Sequence, residues 1–144
     1  MKKLNALVID DSRIMRQMVM NSLKKTQLAD WEFVEAEDGE DALEKFDPKT
    51  IDIVFADWNM PRLSGIDFVR RVRANKKSAQ TPIIMVTSEQ TVGKMSDALG
   101  RAGATAYATP FTVPDLVRKI QKIVEEIPER DDKPQGFFAR LVNG

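Results

Sequence analysis

Five short apolar runs alternate along the chain with five amphipathic segments, and this alternation constrains the fold more than any other feature of the sequence. The runs cover residues 4–9, 33–36, 51–56, 83–86 and 104–108. The first, third and fourth are nearly continuous in apolar residues, as central parallel strands covered on both faces require. The second is shorter and punctuated by charge, which predicts an edge strand. Between the runs, Ile14, Met15, Met18, Val19 and Leu23 recur at helical spacing, and Ala42, Leu43 and Phe46 do so after the Asp38-Gly39 turn signal. Phe68, Val69 and Val72 follow Gly65, while Met95, Ala98, Leu99 and Ala102 form a fourth stripe closed by Gly103. Leu116, Val117, Ile120, Ile123, Val124 and Ile127 make a fifth and the strongest, with Pro114 near its start and Pro128 ending it. Met15 and Met18 share the first stripe, so they are expected to fill core rather than form an adaptable recognition surface.

Strand–helix alternation with short links predicts right-handed crossovers and an α/β fold, a parallel sheet with helices on both faces. In such sheets the functional crevice lies beyond the carboxyl ends of the strands. Asp10, Asp11, Asp57, Thr87 and Thr109 all follow apolar runs and are expected at that one edge.

A chain of 144 residues is long enough for one well-filled core and too short for two ordinary domains. The division expected is a body over residues 1–128 and a tail over 129–144, a linker followed by the short apolar segment Phe137-Phe138-Ala139-Arg140-Leu141-Val142. A segment so short is marginal as an isolated helix, which leaves docking on the body, partner binding and disorder all open. Lysine plus arginine balance aspartate plus glutamate at 22 each, which argues against nucleic-acid binding through bulk basicity. Cysteine and histidine are both absent, so disulfides, thiol catalysis, histidine base chemistry and the usual zinc sites drop out together. Oxygen ligands favour magnesium, manganese or calcium. Met1-Lys2-Lys3-Leu4 opens no long apolar leader and no stretch approaches membrane-spanning length, so a soluble cytoplasmic protein is expected.

Three carboxylates converging at one rim repel one another unless a cation neutralises them. Phosphoryl transfer to a carboxylate needs an exposed oxygen nucleophile, a cation and donors for the phosphoryl oxygens. Asp57 fits the first role, Asp10 and Asp11 the second, and the Thr87 hydroxyl the third, with Ser88 as a further donor. Each residue also has a plainer explanation. Asp10 or Asp11 alone serves as a helix cap near Ser12, Asp57 as a turn residue ahead of Met60-Pro61, and Thr87 as a strand former. Their shared placement at strand ends favours the joint assignment.

The chain resembles receiver domains of two-component response regulators, and most closely the stand-alone chemotaxis receivers of the CheY type. The likeness spans roughly residues 4–127. It rests on Val8-Ile9-Asp10-Asp11-Ser12, on Asp57-Trp58-Asn59-Met60-Pro61 followed by Gly65, on Thr87, and on Gly103-Ala104 leading to Tyr107 and Pro110-Phe111. The resemblance implies a flavodoxin-like (βα)5 fold with a five-stranded sheet in the order 2-1-3-4-5. It implies a phosphoacceptor at Asp57, and magnesium on Asp10 or Asp11, Asp57 and the backbone carbonyl of Asn59. Phosphoryl groups then come from a histidine kinase, a phosphotransfer protein or small phosphodonors, and the family's own hydrolysis removes them. Thr87 and Tyr107 match the switch pair, while Asn59 and Glu89 match positions that modulate the hydrolytic water. Output is expected through protein contacts on the fourth helix, fifth strand and fifth helix, without direct nucleic-acid binding.

One position departs from that pattern. The family carries lysine immediately before the Pro110-Phe111 dipeptide, and here Thr109 stands in its place. A threonine hydroxyl donates a hydrogen bond but supplies no positive charge. The departure keeps a second possibility in view, a receiver-like module that binds a partner independently of phosphorylation. A magnesium-dependent hydrolase fits less well, lacking an evident second acid–base group, and a flavin-binding sheet less well again.

Overall fold

A computed structural model of the chain describes residues 1–57, 62–86, 101–108 and 112–129. Five strands form one sheet: β1 (Lys3–Ile9), β2 (Asp30–Ala36), β3 (Ile53–Asp57), β4 (Ile83–Val86) and β5 (Ala106–Ala108). Their order is β2-β1-β3-β4-β5, and every pairing is parallel. Four α-helices lie among the described residues: α1 (Arg13–Thr26), α2 (Gly39–Lys45), α3 (Gly65–Ala74) and α4 (Val113–Glu126), the last matching the fifth stripe. The fourth stripe falls mostly outside the described residues, as do Asn59, Thr87, Glu89, Thr109 and the tail from residue 130.

The strands alternate their side chains between two cores. Leu4, Ala6 and Val8 of β1, with Phe55 and Ile84, meet Val19, Met20 and Leu23 of α1 and Leu116, Ile120 and Val124 of α4. Leu7, Ile9, Val54, Ala56, Ile83 and Met85 point the other way, onto Ala42 of α2 and Phe68, Val69 and Val72 of α3. Burial on both faces is what the unbroken apolar runs demand.

Two expectations need correction. The second strand is not shorter than the first: β2 spans seven residues, as β1 does. It lies at the sheet edge, where only Trp31 and Ala36 are buried, and its exposed acidic residues conceal it in the sequence. On α1, Met18 is 37% exposed and Ile14 76%, whereas Met20 is buried. The buried arc runs through Arg16, Val19, Met20 and Leu23, so a charged residue, part-buried, occupies the place near the helix start that an apolar one was expected to fill. Minor shifts also occur: β3 begins at Ile53 and β5 at Ala106, later than their apolar runs begin.

Local chemistry sets the helix boundaries. Ser12, Asp38, Ser64 and Thr112 cap α1 to α4, each accepting a backbone N–H three residues on. Gly39 is required by a close approach, since a Cβ there would meet Leu63 Cβ and its carbonyl oxygen at 2.5 Å. At the amino edge of the sheet, Arg73 of α3 donates to the carbonyls of Gly103 and Ser78 and to the Thr105 hydroxyl. Thr105 Oγ1 in turn accepts from Ile83 N.

The Lys2 ammonium donates to the carbonyls of Val124, Glu125 and Ile127, satisfying the C-terminal end of α4 from the start of β1. Lys2→Met should therefore lower stability by about 1.5 kcal/mol, the scale of a hydrogen bond to a charged group. Urea denaturation checks this as a lower midpoint at unchanged slope.

Candidate functional site

Strand register builds the site. Ile9 lies opposite Ala56 in the parallel pairing of β1 with β3, so the next residues, Asp10 and Asp57, emerge side by side at the carboxyl edge. Asp57 is the last residue of β3 itself, and Asp10 and Asp11 begin the turn into α1. One carboxylate oxygen from each of Asp10, Asp11 and Asp57 lies within 4.8 Å of the others. Asp10 is buried, Asp57 half-buried and Asp11 exposed, a graded pocket open on one side.

Oxygens sharing one octahedral magnesium ion at about 2.1 Å sit roughly 3 Å apart when adjacent and about 4 Å when opposite. Oxygens within 4.8 Å of one another are near enough for all three carboxylates to share such an ion. Their chemistry fits as well, because hard oxygen donors suit magnesium or manganese.

Asp10 is the most constrained of the three. Its N–H donates to the Ala36 carbonyl at 3.1 Å, extending the β1–β2 ladder beyond Ile9. Its Oδ1 accepts from Ser12 N at 2.8 Å, and its carbonyl accepts from Arg16 Nη1 at 2.7 Å. Burial pushes the Asp10 carboxyl above the usual range; the Ser12 N–H opposes this, the neighbouring Asp11 reinforces it, and Arg16 opposes it.

Thr87 and Thr109 are the residues next in sequence after β4 and β5, which end at Val86 and Ala108. Tyr107 lies on β5, paired with Met85. The Arg16–Asp10 contact was missed by sequence reasoning. The spacing of Arg16 three and four residues ahead of Val19 and Met20 marks the arc it shares with them, but not its partner.

A native carboxyl with a raised pKa holds its proton more tightly than the unfolded chain does. Stability therefore falls as pH rises from about 3.9, the ordinary aspartate value, through the raised native value, and stays lower above it. In the metal-free protein Asp10→Asn should raise the unfolding temperature at pH 7, and the difference should shrink as the pH falls through the raised native value toward about 3.9. Calorimetric scans in chelator across that range test this; a lower unfolding temperature for the variant at pH 7 would refute it.

Comparison with known proteins is consistent with this geometry. Residues 6–121 match the family model of the response regulator receiver domain. The chain is 37% identical over 122 residues to the chemotaxis protein CheY of Pseudomonas aeruginosa, covering 84% of this chain and 96% of that protein. The structure of the chemotaxis response regulator CheY4 of Vibrio cholerae superposes with a TM-score of 0.69 at 32% identity, over 85% of this chain and 98% of that one. The same fold is shared by the receiver domain of a Pseudomonas aeruginosa sensor histidine kinase, solved with magnesium in its active-site cleft (TM-score 0.68, 21% identity, 87% and 97% covered). Among the described residues no helix is long and apolar enough to cross a membrane. A family match over most of the chain, on a sheet that brings Asp10, Asp11 and Asp57 to one rim, makes this chain a member of the response regulator receiver domain family.

Proposed function

We propose that the chain is a phosphoryl-accepting switch in which Asp57 is the acceptor. The observation that carries this reading is the convergence of Asp10, Asp11 and Asp57 at the carboxyl edge of β1 and β3. A carboxylate oxygen of Asp57 attacks phosphorus of a phosphohistidine on a kinase or phosphotransfer protein. The P–N bond breaks and the imidazole leaves with the electron pair. In a separate second step water attacks phosphorus, the P–O bond to Asp57 breaks, the carboxylate departs and inorganic phosphate is released.

Asp10, Asp11, Asp57 and the Asn59 carbonyl would hold magnesium, or manganese on the same donor set, which when bound supplies positive charge against the phosphoryl oxygens. Thr87 donates a hydroxyl to the new phosphoryl group, Tyr107 follows it inward, and Asn59 and Glu89 modulate access of water. Thr109 donates a hydrogen bond there but leaves the pocket without a cationic side chain at that position.

Residues 1–128 form the receiver and 129–144 a separate tail, the fourth stripe supplying the fourth of the five helices of a (βα)5 body. The changed surface on the fourth stripe, β5 and α4 binds a downstream protein. The relatives named above support chemotaxis as the process. Binding of that protein equally by wild type and Asp57→Asn would favour a phosphorylation-independent module instead.

Wild-type protein should incorporate label from a small phosphodonor in a magnesium-dependent manner, and Asp57→Asn should incorporate none. Equal labelling of both, or of neither, removes Asp57 as the acceptor. Thr109→Lys should enlarge the phosphorylation-dependent spectral change at Tyr107. The missing positive charge at Thr109 lets the phosphorylated form switch its surface less completely, or stay phosphorylated longer, and an unchanged signal in that variant refutes the weakened switching.

A further inference from the structure

We propose that Arg16 is a positioning residue for the acidic pocket, holding the Asp10-Asp11 turn in the geometry that binds a divalent cation. The inference rests on the reading of that pocket as a cation site. Arg16 lies on the arc of α1 that faces the sheet, and its side chain is only 13% exposed. A guanidinium is seldom buried to that degree unless its donors are met.

Two of its donors meet protein acceptors. Nη1 donates to the Asp10 carbonyl at 2.7 Å, and Nε donates to Glu35 Oε1 at 2.8 Å. Glu35 lies on β2, opposite Val8 of β1, so the guanidinium ties the end of the central strand to the sheet edge. Asp10 is then fixed through its N–H by Ala36, through Oδ1 by Ser12 and through its carbonyl by Arg16.

The choice of atom matters. Arg16 brings positive charge to the carboxylates while bonding a backbone carbonyl, so these bonds leave the carboxylate oxygens to a metal. A lysine ammonium offers a point charge without the planar fork that reaches two acceptors in fixed directions. Groups that orient a metal's own ligands commonly change its affinity by about 10–100-fold when removed. Arg16 and Glu35 also line an open polar pocket with Arg13, Glu37 and Lys45.

The test is titration of the full-length chain with magnesium chloride by calorimetry, alongside thermal unfolding in chelator. Arg16→Gln should weaken magnesium binding about tenfold or more, on the scale of orienting groups elsewhere. Arg16→Lys should recover part of that loss. Glu35→Gln, at a more exposed position, should weaken binding by a smaller factor and keeps the test available should Arg16→Gln not fold. A purely structural role would instead lower the unfolding temperature in chelator and leave the magnesium affinity of folded protein unchanged. Wild-type affinity in both Arg16→Gln and Glu35→Gln overturns the inference alone. Failure of wild-type protein to bind magnesium overturns the cation-site reading and the inference with it.

Discussion

The lateral pairing of β1 with β3 is the constraint on which the rest depends. Because Ile9 stands opposite Ala56, the residues after them are obliged to be neighbours, and both are aspartates. Neither strand can slip to relieve the repulsion. Ile9 and Ala56 are buried in the core against α2 and α3, while Val8 and Phe55 are buried in the core against α1 and α4. A shift by one residue would exchange every side chain between two different helix layers. Apolar packing on both faces thus sustains an acidic corner that electrostatics alone would disperse.

Much of this was legible in the chain. Unbroken apolar runs marked the central strands because two-sided burial leaves no polar face to interrupt them, and the aspartates stood out by ending those runs. The parallel arrangement followed from helices intervening between strands, whereas the strand order came from family resemblance. The length of β2 was less legible. Its exposed Asp30 and Glu32 interrupt the pattern because one side of an edge strand lies in water. The α1 methionines misled for a related reason: a continuous apolar stripe drew attention toward Ile14 and Met18, while the sheet receives Val19, Met20 and Leu23. Periodicity locates a stripe only to within the width of one side chain when the helix carries apolar residues on two arcs.

Arg16 shows a different limit. A charged residue within an apolar periodicity reads as an interruption, and its partners, a backbone carbonyl and a glutamate on another strand, leave no mark in local sequence. Its role emerges only when α1 and β2 are brought together. Thr109 is the reverse case, conspicuous in sequence by contrast with the family pattern, with its consequence resting on chemistry. A hydroxyl supplies direction to a hydrogen bond but little long-range field.

The amino edge of the sheet bears on how the opposite edge behaves. Arg73 gathers Ser78, Gly103 and Thr105, and Thr105 is bonded to Ile83 through both its hydroxyl and its backbone. The beginnings of β4 and β5 are thereby stitched to α3. That margin fixes β4 and β5 from the end remote from the acidic rim, so the register that delivers Thr87 and Thr109 to the opposite edge is set by an arginine and a threonine far from the carboxylates.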